Sequence, residues 1–166
     1  MTWTALSSVE LDSNLRAYLD DLASRLPFDI VVTSGIRSPL AQTRAMFEKI
    51  RLGDDLIAIY KDDTFAQKII DSYPNESQGV AIVEEYARGG GGSTHLRGLG
   101  VDLRTRDKTP EQVQLMKETV ESMGDFALVE SKPPHLHISL KKNYKQSGLL
   151  KVGLIAILIG AIWTTI

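Results

Sequence analysis

The chain has 166 residues, a formal net charge of −2 and no cysteine. Its length predicts one globular domain, and an apolar fraction of 43% is enough to bury a core. The slightly acidic balance gives no support to a nucleic-acid-binding role, and the missing cysteines exclude disulfides and thiolate metal sites.

The first eight residues lack the basic and apolar regions of a cleavable secretory signal. Over residues 8–26, Leu11, Leu15, Tyr18, Leu22 and Leu26 recur at helical spacing, which predicts an amphipathic helix stopped by Pro27. Residues 28–33 are rich in β-branched side chains and read as a strand. Ser38 is a natural N-cap with Pro39 at the first helical position. The helix that follows runs to about residue 52, with Leu40, Thr43, Phe47 and Ile50 inward and Gly53 as its stop. Residues 54–87 read as a helical insertion that walls a cleft. The glycines at 89–92 then give a flexible segment, and its position directly before His95 favours a mobile active-site loop over a plain linker. Residues 101–105 form a strand, with Val101 and Leu103 on one face and Asp102 and Arg104 on the other. Thr109, Pro110 and Gln112 form a capping box for a helix with Val113, Met116, Val120 and Met123 inward. Residues 126–130 and 135–140 are neighbouring strands, the second with Leu136, Ile138 and Leu140 on the core face.

Lys141, Lys142 and Lys145 link this domain to an apolar C-terminus, where the only charge in residues 149–166 is Lys151. As a helix these residues would be roughly 27 Å long, close to the roughly 30 Å of a hydrocarbon core, and Trp163 suits an interface. The expectation is a single-pass anchor in a lipid bilayer; a buried core helix is the alternative. The predicted organisation is a domain over 1–140, a basic linker over 141–148 and a transmembrane helix over 149–166. The lysines before the span place the domain on the cytoplasmic side.

All three histidines lie in two short segments, Ser93-Thr94-His95-Leu96-Arg97-Gly98-Leu99-Gly100-Val101-Asp102 and Pro134-His135-Leu136-His137. His135 and His137 alternate on a strand and share a face. Two imidazoles and a carboxylate are what a catalytic zinc needs, with a fourth position left open. His95, Asp102 and His137 can supply the ligands, and Gly98 and Gly100 let the loop fold so that His95 and Asp102 converge. His135 should lie beside the metal, where it could take a proton or bind a developing oxyanion. Glu130 is the alternative base, and a closed site with His135 as fourth ligand is the structural alternative.

The first segment resembles the S-x-H-x-x-G-x-x-x-D motif of the zinc peptidases that cut peptidoglycan. These are the D-alanyl-D-alanine carboxypeptidases and dipeptidases and the L-alanyl-D-glutamate endopeptidases of phage endolysins, which share a fold with lysostaphin-type enzymes and the hedgehog signalling domain. Pro134-His135-Leu136-His137-Ile138 resembles their closing His-x-His motif, and Thr33-Ser34-Gly35-Ile36-Arg37-Ser38 their upstream S-G-x-R-S. The resemblance spans about residues 28–140. It implies zinc on His95, Asp102 and His137, and an Arg37 that contacts the substrate or its transition state. Many members carry an acidic base three residues before the last histidine; here that position is Pro134, which favours His135 over Glu130 as the base.

The expected fold is α+β: a small antiparallel sheet carrying a Zn2+ site, packed by helices, plus one C-terminal transmembrane helix. The expected function is a membrane-anchored zinc peptidase that hydrolyses amide bonds in peptidoglycan cross-link peptides. Its expected setting is a bacteriophage enzyme of lysis or host penetration, held in the internal membrane of the virion or in the host inner membrane. A metal-bearing binding module without catalysis and a structural virion membrane protein are the alternatives.

Overall fold

A computed structural model describes residues 1–60 and 62–141 of the chain. A short first strand, β1 (Trp3–Ala5), crosses through helix α1 (Ser13–Arg25) to β2 (Ile30–Ser34). β1 and β2 pair in parallel, with Trp3 opposite Ile30. A parallel pair cannot be closed by a tight turn, so α1 serves as the crossover. Its N-terminus is fixed by Asp12, whose side chain accepts from the Leu15 N–H at 2.8 Å. Leu15, Tyr18, Leu19 and Leu22 form its fully buried stripe.

Helix α2 (Pro39–Arg51) starts at the Ser38 cap as its sequence predicts. Three more helices follow: α3 (Leu56–Ile59), α4 (Asp63–Ser72) and α5 (Glu76–Arg88). The chain then makes a 3-10 turn (Thr94–Arg97) and enters β3 (Gly100–Arg104). Helix α6 (Pro110–Ser122), with its capping box on Thr109 and Gln112, leads to β4 (Phe126–Ser131) and β5 (Pro134–Ser139).

The five strands lie in the order β1-β2-β3-β5-β4, and every pair but the first is antiparallel. Alternation along the strands gives the sheet two faces. Val32, Val101, Leu103, Ala127, Leu136 and Ile138 point to the back, where they pack with α1 and with Met116 and Val120 of α6. The front face carries Ser34, Asp102, His135, His137, Leu128 and Glu130. A second core lies within the α2–α5 cluster, around Met46, Phe47, Leu56, Phe65, Ile69 and Val83, with Tyr60, Tyr86 and Leu96 at its margin.

Three expectations are corrected. The sheet is mixed and five-stranded rather than small and antiparallel, because the N-terminal residues add a parallel strand too short to show a period. Leu40 faces outward, since α2 buries the arc of Gln42, Thr43, Met46 and Phe47. The third correction concerns the membrane: among the described residues no helix is long and apolar enough to cross one. The span expected over residues 149–166 lies outside the described residues.

Truncation of Leu22, fully buried between α1 and the back of the sheet, should cost roughly 2–5 kcal/mol. Urea denaturation of Leu22→Ala should show a lowered midpoint at an unchanged slope; a wild-type midpoint would contradict this packing.

Candidate metal centre

The backbone brings three ligands together by two devices. Asp102 on β3 lies directly opposite His137 on β5, so both side chains leave the front face side by side. His95 comes from the 3-10 turn, which Gly98 ends in the left-handed region at φ 66°. The chain then doubles back so closely that a Cβ on Gly100 would lie 2.7 Å from the His95 backbone nitrogen. A glycine at that position is what lets His95 fold over Asp102.

The ligand atoms are nearly equidistant. His137 Nδ1 lies 2.8 Å from Asp102 Oδ1, His95 Nε2 lies 3.2 Å from the same oxygen, and the two nitrogens are 3.2 Å apart. The outer ring nitrogens decide the tautomers. His95 Nδ1 is 2.6 Å from the Gly35 carbonyl, which can only accept, so Nδ1 carries the proton and the Nε2 lone pair faces inward. His137 Nε2 sits 2.9 Å from the Ser139 hydroxyl. When it donates there, its Nδ1 lone pair faces inward too. Three acceptors then converge with no proton between them, which is repulsive unless a cation lies at the centre or the imidazoles take up protons. Tetrahedral ligands at about 2.0–2.1 Å from an ion are separated by roughly 3.3 Å, close to the spacing found here. His95, Asp102 and His137 thus form a triad able to hold a metal ion, with His95 and Asp102 only 2% and 4% exposed.

Arg37 holds the other side of Asp102. Its Nη2 donates to Asp102 Oδ2 at 2.6 Å, and its Nε donates to Ser34 Oγ at 2.9 Å. Burial by itself would raise the Asp102 carboxyl, but the adjoining His137 and His95 side chains and the Arg37 guanidinium outweigh it. They hold the group well below the usual carboxylate range.

His135 lies beside the triad. Its Nδ1–H donates to the Pro133 carbonyl at 2.7 Å, and its Nε2 faces Asp102 Oδ1 at 3.7 Å and Glu130 Oε1 at 3.6 Å. Burial lowers the His135 pKa, but the Glu130 carboxylate and the charge of Asp102 prevail and leave it raised. His135 does most to lower the Glu130 carboxyl, burial opposes it, and Lys49 adds to the lowering, to about 2. The Lys49 ammonium donates to Glu130 Oε2 at 2.5 Å. Beyond them the floor is open and apolar: Leu128 stands opposite His137 and Phe126 opposite Ser139, both exposed.

All six residues singled out in the sequence therefore lie on or at the edge of the same sheet face. Reading the sequence missed Ser34, Gln42, Lys49 and Tyr60. The signal available for two of them was that Gln42 and Lys49 stand seven positions apart, two turns along one face of α2. The insertion contributes to the wall of this site through Tyr60. A separate cleft of about 300 Å³, lined by Phe65, Lys68, Tyr86 and Gly91 among others, includes none of the triad residues.

Comparisons of this chain with protein-family models, with curated proteins and with solved structures return no match. Any functional reading therefore rests on the residues themselves.

Two outcomes follow from this geometry. His137→Ala should lose bound metal in elemental analysis, and metal should be released from the wild type as acid protonates the imidazoles; full metal retention in His137→Ala would remove His137 from the ligand set. Glu130 titrates lower in the folded chain than its ordinary value of 4.5. Its contribution to stability is therefore complete above that value and lost as pH falls through about 2. Thermal melts of Glu130→Gln across this acid window should change less with pH than those of the wild type; parallel curves would refute the linkage.

Proposed function

We propose that this chain is a zinc peptidase that hydrolyses an amide bond in the cross-linking peptides of peptidoglycan. The observation that carries the reading is the combination of a three-ligand triad with a further imidazole, His135, aimed at it from one side. A closed structural site has no use for an imidazole backed by its own carboxylate and lysine. The donor set of two imidazoles and one carboxylate, without thiolate, and its near-tetrahedral spacing favour zinc. The peptidoglycan assignment is supported by the three motifs around Arg37, His95–Asp102 and His135–His137, which stand in the order found in wall-cutting zinc peptidases.

Zinc bound here would supply a Lewis acid for the scissile carbonyl and a water of lowered pKa. The protein's own residues account for the rest. With its Nδ1–H given to the Pro133 carbonyl, His135 offers Nε2 as the atom that takes a proton from the attacking water and returns it to the leaving amine. Glu130 is held ionised by His135 and Lys49 and is a weak base at neutral pH. It stabilises the protonated imidazole and keeps it pointed at the site. Arg37 fixes the second oxygen of Asp102, so that the first stays turned to the triad, and its charge remains close to the reacting centre.

Mass spectrometry of muropeptides before and after digestion tests the reading. The zinc-loaded full-length protein should release new fragments. His135→Ala should keep its zinc and lose roughly 100-fold or more in rate. Arg37→Ala should keep zinc and fail in turnover. A zinc-loaded wild type that cuts no muropeptide would overturn the peptidase reading, and loss of zinc from His135→Ala would make the site a closed one.

A further inference from the structure

The residue Tyr60 closes α3, and its ring meets Phe65 edge-on with centroids 5.9 Å apart, at the margin of the second core. Its hydroxyl has different company. The Gln42 Nε2–H donates to the Tyr60 oxygen at 3.1 Å. Gln42 is 2% exposed, so both ends of its amide need partners inside the protein. The partner at the other end is Arg37 Nη1, 3.5 Å from Gln42 Oε1. Arginine has only donors, so the amide oxygen must face it and the amide nitrogen must face the phenol. The phenol oxygen is therefore the acceptor in its bond with Gln42. Its own O–H proton finds no acceptor among the described residues.

That unspent proton belongs to the neighbourhood of the triad. The charged groups whose fields reach the phenol are Arg37, Glu130 and Asp102. A run of side chains joins it to the metal ligand: Tyr60 to Gln42, Gln42 to Arg37, and Arg37 to Asp102 Oδ2. The phenol also stays protonated at neutral pH, because burial pushes it up to about 12. The residue as a whole is partly rather than fully buried.

We propose that Tyr60 is a further catalytic residue, whose O–H donates to the substrate oxygen that gains negative charge as the amide is attacked. This assignment rests on the peptidase reading of the triad. It also ties the helical insertion to the chemistry, since the insertion's core fixes the ring and the ring carries a neutral donor to the site. Gln42 orients the donor by occupying the phenol lone pair. A donor that meets charge present only in the transition state acts on kcat rather than on KM.

Full-length Tyr60→Phe keeps the ring against Phe65 and loses only the hydroxyl. Its zinc content and thermal midpoint should match the wild type, its kcat on purified muropeptides should fall by roughly 100-fold, and its KM should stay within about twofold. An unchanged kcat, or a rise in KM alone, would overturn the assignment. A second measurement needs no turnover: calorimetric binding of acetohydroxamate, which places oxygens at a zinc site, to the zinc-loaded protein. Its Kd should rise roughly tenfold in Tyr60→Phe, the weight of one hydrogen bond. If the wild type cuts no muropeptide, the peptidase reading fails by itself, and equal acetohydroxamate affinities in the two proteins would then also overturn the role of Tyr60.

Discussion

Asp102 is an ionised carboxylate with almost no exposure to water, and the architecture around it supplies what that requires. A buried charge without partners costs several kcal/mol. Here one oxygen is met by the Arg37 guanidinium, and the other faces the two imidazoles across the point where a cation or added protons would offset it. Each partner imposes its own condition on the backbone. His137 needs the β3–β5 register, His95 needs a glycine at position 100, and Arg37 needs α2 to begin where it does. Substitutions at any of the three would be felt at the same carboxylate.

The same alternation that builds the back core builds the site. Val101 and Leu103 bury themselves against α1 and α6 because they are odd-numbered on β3, and Asp102 faces forward because it lies between them. On β5, Leu136 and Ile138 do for His135 and His137 what Val101 and Leu103 do for Asp102. A slip of one residue in either strand would bury the ligands and expose the core at once, so hydrophobic burial enforces the geometry of the polar face.

What is legible in the sequence is what local chemistry encodes. The Ser38–Pro39 start of α2, the Thr109 capping box and the alternation on β5 all appear within a few residues of chain. The clustering of every histidine into two segments points to the triad for the same reason. β1 escapes because three residues show no period and its partner strand lies across a helix. Arg37–Asp102 and Lys49–Glu130 escape because their members are 65 and 81 residues apart, and no spacing rule links a turn arginine or a helical lysine to a distant strand. Arg37 is visible through its motif, yet nothing in that motif shows that it grips a metal ligand. Leu40 reads as inward because apolar residues at helical spacing resemble a core, whereas α2 gives part of its buried arc to Gln42.

The division of the chain into two cores has a consequence for how the protein can loosen. The three ligands are anchored in the sheet and the turn beside it, whereas Lys49 and Tyr60 stand on helices that draw their stability from the other core. Cooperative units of this kind open at different free energies. Partial opening of the α2–α5 cluster would withdraw Tyr60 and Lys49 while leaving the ligands in register. The site thus has one half anchored in the sheet and a separable half on the helices, and the second can yield without dismantling the first.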